Sequence, residues 1–230
     1  MILTRKVGPA SVWCSGRAQG NVGDHVGDDP HVVAQHRAEV AAAAGLPAPT
    51  EWVWLRQVHG AGVYEAEGPT PSEEPPEADA AVTATRGLPL AIVTADCATV
   101  VLASDDAVGV VHAGHRGLLA GVIEAAVTRV RAHGGGEVHA FLGPCIRPLR
   151  YEFGARDLEV LASRLGDEVK GRTRDGRPAL DIPAAVGVTL SRAGVAQFED
   201  CGVCTADGAA YFSHRRDGAT GRQVTVAVLS

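Results

Sequence analysis

The sequence predicts an α+β fold of mixed β-sheets flanked by helices, and three observations carry that prediction. Helix and strand signals are interspersed along all 230 residues. Three strand signals follow one another between residues 90 and 114 with no helix among them, which excludes a simple alternating βαβ chain. Hydrophobic residues make up 46% of the chain and aromatics only 4%, so aliphatic and alanine side chains must fill the core. The length suits one large domain or two small ones.

Taken in order, the first clear element is a helix beginning at Asp28-Asp29-Pro30. Asp29 can cap it, and Pro30 has the fixed φ favoured in a first helical turn. HVVAQHRAEVAAAA continues it, and Gly45 is a C-terminal stop. WVWLRQVHG (52–60) alternates apolar and polar residues and predicts a strand ending near His59. Residues 65–79, EAEGPTPSEEPPEAD, are acidic and hold four prolines, which predicts an exposed loop. LAIVTAD (90–96) is a short apolar strand. TVVLAS (99–104), the turn Asp105-Asp106 and AVGVVHAG (107–114) predict a hairpin. GLLAGVIEAAVTRVRAHGGG predicts one helix ending near Gly134, and EVHAFLGP (137–144) another strand. Further helices are expected at about 154–165 and 183–193. The segment 211–222 predicts a glycine-broken loop, and QVTVAVLS closes the chain as an apolar strand from Gln223.

Bulk properties exclude several classes. The net charge is −6 and no Lys/Arg block occurs, so no nucleic-acid surface is expected. No run of about 18 apolar residues exists, which predicts no membrane helix. MILTRKVGPASVW lacks an apolar h-region and a small-residue cleavage site, so no signal peptide is expected. Five cysteines, an odd number at irregular spacing, argue against a disulfide framework and for a reducing cytoplasm. Cys14 and Cys145 read as small buried fillers. Cys201 and Cys204 form a C-x-x-C that lacks a second pair or a strand–CxxC–helix context. Nothing in the chain points to a particular oligomeric state.

Three predicted strand ends carry metal-competent side chains: His59, Cys97 and His112. Two imidazoles and a thiolate suit zinc, and three protein ligands leave a fourth position open, as catalytic sites require. A lone His or Cys at a strand end is commonly structural, however, and the spacing 59, 97, 112 matches no short zinc pattern. On the residues alone both readings stand. His112-Ala113-Gly114-His115-Arg116-Gly117 leads into a predicted helix, where backbone N–H groups and Arg116 could grip an anion; Arg116 could equally cap a turn or pair with an acid. His115 reads as an exposed polar residue. One arginine of the 211–222 loop contacts substrate or supports the site, or the loop is a solvated turn in which Asp217 pairs an arginine.

Together these segments resemble the bacterial multicopper-polyphenol-oxidase-like family, also called the laccase-domain or peptidoglycan-editing-factor family. The matching pieces are GDDP (27–30), RQVHG (56–60), EADAAVT (77–83), TADC (94–97), VHAGHRG (111–117), LGPCI…YEFG (142–154), LDIPAAV (180–186) and YFSHRRDGATGRQ (211–223). They run in the family's order over almost the whole chain. This chain departs from the family's usual HAGWRG at His115, from DCLPV in DCATV, and from Asn-Arg at His36-Arg37.

The resemblance implies a single sandwich-like domain over residues 1–230, cytoplasmic, with zinc on His59, Cys97 and His112. It implies purine nucleoside phosphorolysis, taking adenosine, inosine, guanosine or S-methyl-5'-thioadenosine with phosphate, and adenosine deamination beside it. The partners expected are these nucleosides and phosphate, with no nucleic acid and no membrane. Arg116, Asp79, Glu152 and Arg222 are the candidate substrate and phosphate residues, Arg116 as anion clamp and Asp79 and Glu152 for acid–base or hydrogen-bonding roles. Three alternatives are weighed against this: a copper-dependent polyphenol oxidase, a metal-free cysteine hydrolase using Cys97 and His112, and a non-catalytic cell-wall editing factor. Copper competes well for such ligands, but several coppers need more imidazoles than nine histidines without a single His-x-His pair supply.

Overall fold

The computed structural model describes residues 2–71 and 74–230. Apolar strands covered on both faces dominate it, which is why many read as continuous hydrophobic runs. A first sheet contains β1 (Leu3–Val7), β2 (Ala10–Cys14), β5 (Leu90–Thr94) and β12 (Gln223–Leu229) in the order β1-β2-β12-β5, with every neighbour antiparallel. A second sheet holds β3 (Val63–Glu65), β4 (Ala80–Thr83), β6 (Ala98–Ala103), β7 (Val108–Ala113), β8 (His139–Leu142) and β11 (Gln197–Asp200), in the order β11-β8-β6-β7-β4-β3. It is mixed: the β11–β8 and β3–β4 pairs are parallel and the rest antiparallel. A small hairpin joins β9 (Lys170–Arg172) to β10 (Pro178–Leu180).

The sheets stack face to face. Val12, Leu90, Ile92, Ala227 and Leu229 from the first meet Val101, Val108, Val110 and Phe141 from the second. Alternate residues of the same strands face outward. Val224, Val226 and Val228 pack on Trp52, Trp54 and α1 (Pro30–Ala44). Val100, Leu102, Val111 and Leu142 pack on α3 (Val122–Ala132), α4 (Ala155–Leu165) and α5 (Ile182–Arg192). The result is a two-sheet sandwich between helices, as expected of the fold class.

The expected α1 forms with its ends as read. Asp29 accepts a hydrogen bond from the His31 backbone N–H at 2.8 Å, and Gly45 takes the left-handed conformation at φ 66°. The hairpin β6–β7 and the strands β5, β8 and β12 also form, as do α4 and α5.

Four expectations are corrected. Residues 52–60 are not a strand: the segment is shared between two neighbours, with single bridges from Val53 to Leu90 and from Arg56 to Glu77. The helix after Gly117 is two helices, α2 (His115–Ala120) and α3, because Gly121 turns left-handed at φ 86° and ends the first. The segment 65–79 is irregular but not simply exposed. Ala66, Thr70, Ala78 and Asp79 are buried in it, and its residues 72 and 73 lie outside the described residues. The loop 211–222 contains a one-turn helix, α6 (His214–Asp217), capped by Ser213. Among the described residues no helix is long and apolar enough to cross a membrane.

Candidate active site

The connection from β5 to β6 passes from one sheet to the other and carries Cys97 at the crossing. His112 is the penultimate residue of β7, paired in register with Thr99 of β6, so its ring emerges beside that crossing. His59 arrives from the bridged segment 52–60. Its ligand atom, the Cys97 Sγ and a His112 ring nitrogen all lie within 4.8 Å of one another. The two imidazoles meet edge-on, with centroids 4.7 Å apart. His112 is buried, Cys97 half-buried and His59 exposed.

The backbone is bent to bring them together. His59 and Asp96 are the non-glycine residues with positive φ among those described, at 62° and 98°. Such conformations cost free energy and persist where surrounding contacts hold them. At Asp96 the carboxylate accepts the Thr205 hydroxyl at 2.6 Å and the Arg215 backbone N–H at 2.7 Å. At His59 the holding group is Asp79. Gln57 anchors the same segment to β5, its side-chain amide donating to the Val93 carbonyl at 2.9 Å and accepting from the Val93 N–H at 3.0 Å. Gly114 leaves room for the cluster: a Cβ there would stand 3.0 Å from Cys97 Sγ and 3.2 Å from His59 Cδ2.

Charges are matched within the group. Burial raises the Cys97 thiol, but the His112 charge and hydrogen bonds from both imidazoles outweigh it and bring Cys97 down to about 6. Burial lowers His112, yet the Cys97 thiolate and Asp79 lift it to about 9. Burial opposes ionisation of Asp79 too, and the His112 hydrogen bond with the Gly60 and His59 N–H groups overcomes it, holding that carboxyl below its ordinary value. The donor set therefore fits a divalent cation: an ionised thiolate and two imidazoles, converging beside a glycine with no side chain.

The cluster opens on a cavity of about 660 Å³, within the size range of small-molecule sites. Trp54, Gln57, Arg37, His25, His214 and Arg222 line it. One wall is a stack in which the Arg37 guanidinium lies 4.1 Å over the Trp54 ring and Trp54 stacks on Trp52 at 5.4 Å. A second cleft of about 750 Å³ lies between β1 and Tyr211. None of its lining residues is His, Cys, Asp or Glu, so chemistry rather than volume distinguishes the first.

The remaining site candidates from the sequence fall in different places. Arg222 lines the cavity. Asp79 does not face it: it is fully buried behind His112, with its oxygens committed to His112 and three backbone N–H groups, so it positions His112 and the His59 segment and is no free acid or base. Glu152 lines a separate cleft and pairs with Arg177 at 2.5 Å. Arg116 is exposed on α2 and is not among the cavity's lining residues. His115 is half-buried rather than exposed, its ring edge-on to Phe153 at 5.3 Å. Arg37, Trp54 and His214 are not among the sequence's site candidates; they reach the cavity from three separate parts of the chain, α1, the bridged segment 52–60 and α6. Cys14 and Cys145 are buried as expected, the former's thiol pushed up to about 12. Among the described residues the one group able to hold a metal is His59, Cys97 and His112, without Cys201 or Cys204.

A family model described as multi-copper polyphenol oxidoreductase laccase matches residues 1–230. A Streptomyces coelicolor protein named purine nucleoside phosphorylase is 40% identical over 207 residues, covering 88% of this chain and 84% of the relative. A Corynebacterium glutamicum protein of the same name is 35% identical, covering 99% of this chain and 93% of the relative. Among solved structures, a Neisseria meningitidis protein superposes with a TM-score of 0.85 at 28% identity, covering 100% of this chain and 99% of that one. YlmD from Geobacillus stearothermophilus gives 0.83 at 30% identity, covering 97% and 93%.

Proposed function

The chain belongs to the multi-copper polyphenol oxidoreductase laccase family, and we propose that it is a purine nucleoside phosphorylase whose metal is zinc, held by His59, Cys97 and His112. Relatives 35–40% identical over most of the chain bear the phosphorylase name. The observation that carries the metal assignment is the convergence of two imidazoles and a thiolate within 4.8 Å at the wall of a nucleoside-sized cavity. Zinc favours this mixed N/S set, and three protein ligands leave a coordination position for a substrate. We read the whole of residues 1–230 as one such domain, working in the cytoplasm.

In phosphorolysis a phosphate oxygen bonds to C1′ of the ribose while the C1′–N9 bond breaks. The electron pair leaves with the purine, which takes up a proton. The bound cation supplies concentrated positive charge and Lewis acidity in the cavity. The residues of the chain provide the rest. Asp79 fixes His112 with Nδ1 protonated and turned inward, leaving Nε2 for the metal. Gln57 and Asp79 hold the His59 segment, and Asp96 holds the turn that delivers Cys97. Arg37, held on the Trp54 ring, presents a guanidinium that suits stacking by a planar base. Adenosine deamination is the second activity proposed for the same cavity. One other reading has an observation behind it: the Cys97–His112 charge pair is also the arrangement of a metal-free cysteine hydrolase.

The test is a chromatographic assay of adenosine, inosine, guanosine and S-methyl-5'-thioadenosine, each with and without phosphate. Free base formed only with phosphate supports phosphorolysis, and inosine formed from adenosine supports deamination. Turnover of all four no faster than a Cys97→Ala control would overturn the nucleoside reading.

A further inference from the structure

We propose that Arg222 binds the phosphate co-substrate. This inference rests on the phosphorylase reading and assigns its anion site, for which the sequence offered Arg116 as the clamp and Arg222 only as one of several substrate and phosphate candidates. A phosphorylase must hold a phosphate dianion against the ribose, and that demands a fixed cation facing the cavity. Three arginines line it: Arg37, Arg56 and Arg222. Arg37 is already paired with Asp24 at 3.1 Å, gives its Nε to the Val22 carbonyl and covers Trp54. Arg56 is paired with Glu77. Arg222 has no carboxylate partner among the described residues. Its Nη1 donates to the Thr220 and Gly221 carbonyls at 2.8 and 3.2 Å, while Nε and Nη2 make no hydrogen bond there.

The arginine is also built in. Its backbone N–H donates to Asn21 Oδ1 at 2.7 Å, and the same Asn21 oxygen accepts from Gly23. A Cβ on Gly23 would meet Arg222 Cγ at 2.6 Å, so the glycine exists in contact with the arginine's stem. Arg222 directly precedes β12, the strand paired with β5, and β5 runs on to Cys97. Two free donors on one edge of a half-buried, preplaced guanidinium match two phosphate oxygens. Asp96 is no rival partner, since its carboxylate is taken by Thr205 and the Arg215 backbone.

The experiment measures steady-state phosphorolysis by the full metal-loaded chain with inorganic phosphate varied, together with the melting-temperature rise that phosphate alone induces. Arg222→Ala is expected to raise the phosphate KM by about tenfold or more while the nucleoside KM moves less than about threefold, and to abolish the phosphate-induced rise. Arg222→Gln, which keeps the bulk and loses the charge, carries the same test where the alanine variant does not fold. An unchanged phosphate KM in a folded variant overturns the assignment to Arg222. A wild-type protein that releases no base with phosphate overturns the phosphorylase reading itself, and this inference with it.

Discussion

Asp79 Oδ1 stands 2.8 Å from His112 Nδ1, and the same carboxylate receives the backbone N–H groups of Val58, His59 and Gly60 at 2.6–3.2 Å. One buried side chain thus orients two of the three metal-competent residues, one through its ring and the other through its backbone. An acid placed so can accept four hydrogen bonds only while ionised.

Asp79→Asn is therefore expected to weaken metal binding by about 10- to 100-fold. It should also destabilise the fold by roughly 2–4 kcal/mol, because an amide N–H₂ would face backbone donors in a buried place. The pH dependence follows from the sign of the shift. The folded-state pKa of Asp79 lies below its unfolded value, so its contribution is complete above about pH 4 and is lost as pH falls through the folded pKa. The melting-temperature gap between wild type and Asp79→Asn should be wide at neutral pH and narrow in acid. A gap that is constant down to strongly acidic pH would contradict the ionised-carboxylate role.

This role illustrates what could be read from the sequence. The metal-competent cluster was legible because His and Cys side chains declare metal chemistry by type, and the ordered motifs placed them. Asp79 was visible as an acidic residue in EADAAVT but not as a buried one, since its partners sit about 20 and 33 residues away in sequence. The capped helix α1 was legible because Asp29, Pro30 and Gly45 act locally. The segment 52–60 was misread as a strand because alternation reports exposure and not pairing. Residues 52–55 are all buried, Trp52 and Trp54 in one cluster and Val53 and Leu55 in another, while the backbone is divided between Leu90 and Glu77. The break at Gly121 was hidden by an uninterrupted helical composition, and the short helix it ends leaves Arg116 exposed and outside the cavity's lining.

Cys97 is expected to be the reactive thiol of the metal-free protein. With its pKa near 6, it is mostly thiolate at pH 7.5, whereas Cys14 at about 12 stays protonated. Alkylation of chelator-treated protein, followed by peptide mass spectrometry, should modify Cys97 first. Its rate should be nearly flat from pH 7 to 9 and half-maximal near pH 6. A rate still rising steeply between pH 8 and 9 would mean that His112 does not stabilise the thiolate.

Gly114 offers a way to close the site without touching a ligand. Its φ of −77° and ψ of 171° are open to alanine, so the backbone tolerates the change. The added Cβ meets Cys97 Sγ and His59 Cδ2 at 3.0 and 3.2 Å, distances that push the two ligands apart. Gly114→Ala should lose about tenfold or more in metal affinity while its far-ultraviolet circular dichroism is unchanged. Gly135→Ala, with nothing within 4 Å of the new carbon, serves as the control. Equal metal affinity in the two variants would show that the glycine is not needed for close approach.

Metal removal separates the enzymatic readings. Chelation and dialysis should abolish phosphorolysis, and added zinc should restore it, because two imidazoles and one thiolate without a cation leave no Lewis acid in the cavity. Cys97→Ala should retain less than about a tenth of the wild-type metal after dialysis, having lost the anionic ligand. A cysteine hydrolase would behave in the opposite way: the metal-free protein would keep its activity, and the thiolate paired with His112 would carry it. Copper loading tests the remaining reading. With one three-residue metal group among the described residues, copper has no second or third site through which to relay electrons from a phenol to oxygen. Copper-loaded protein should therefore oxidise phenols no faster than the Cys97→Ala variant loaded alike, and a clear excess would revive the polyphenol oxidase reading.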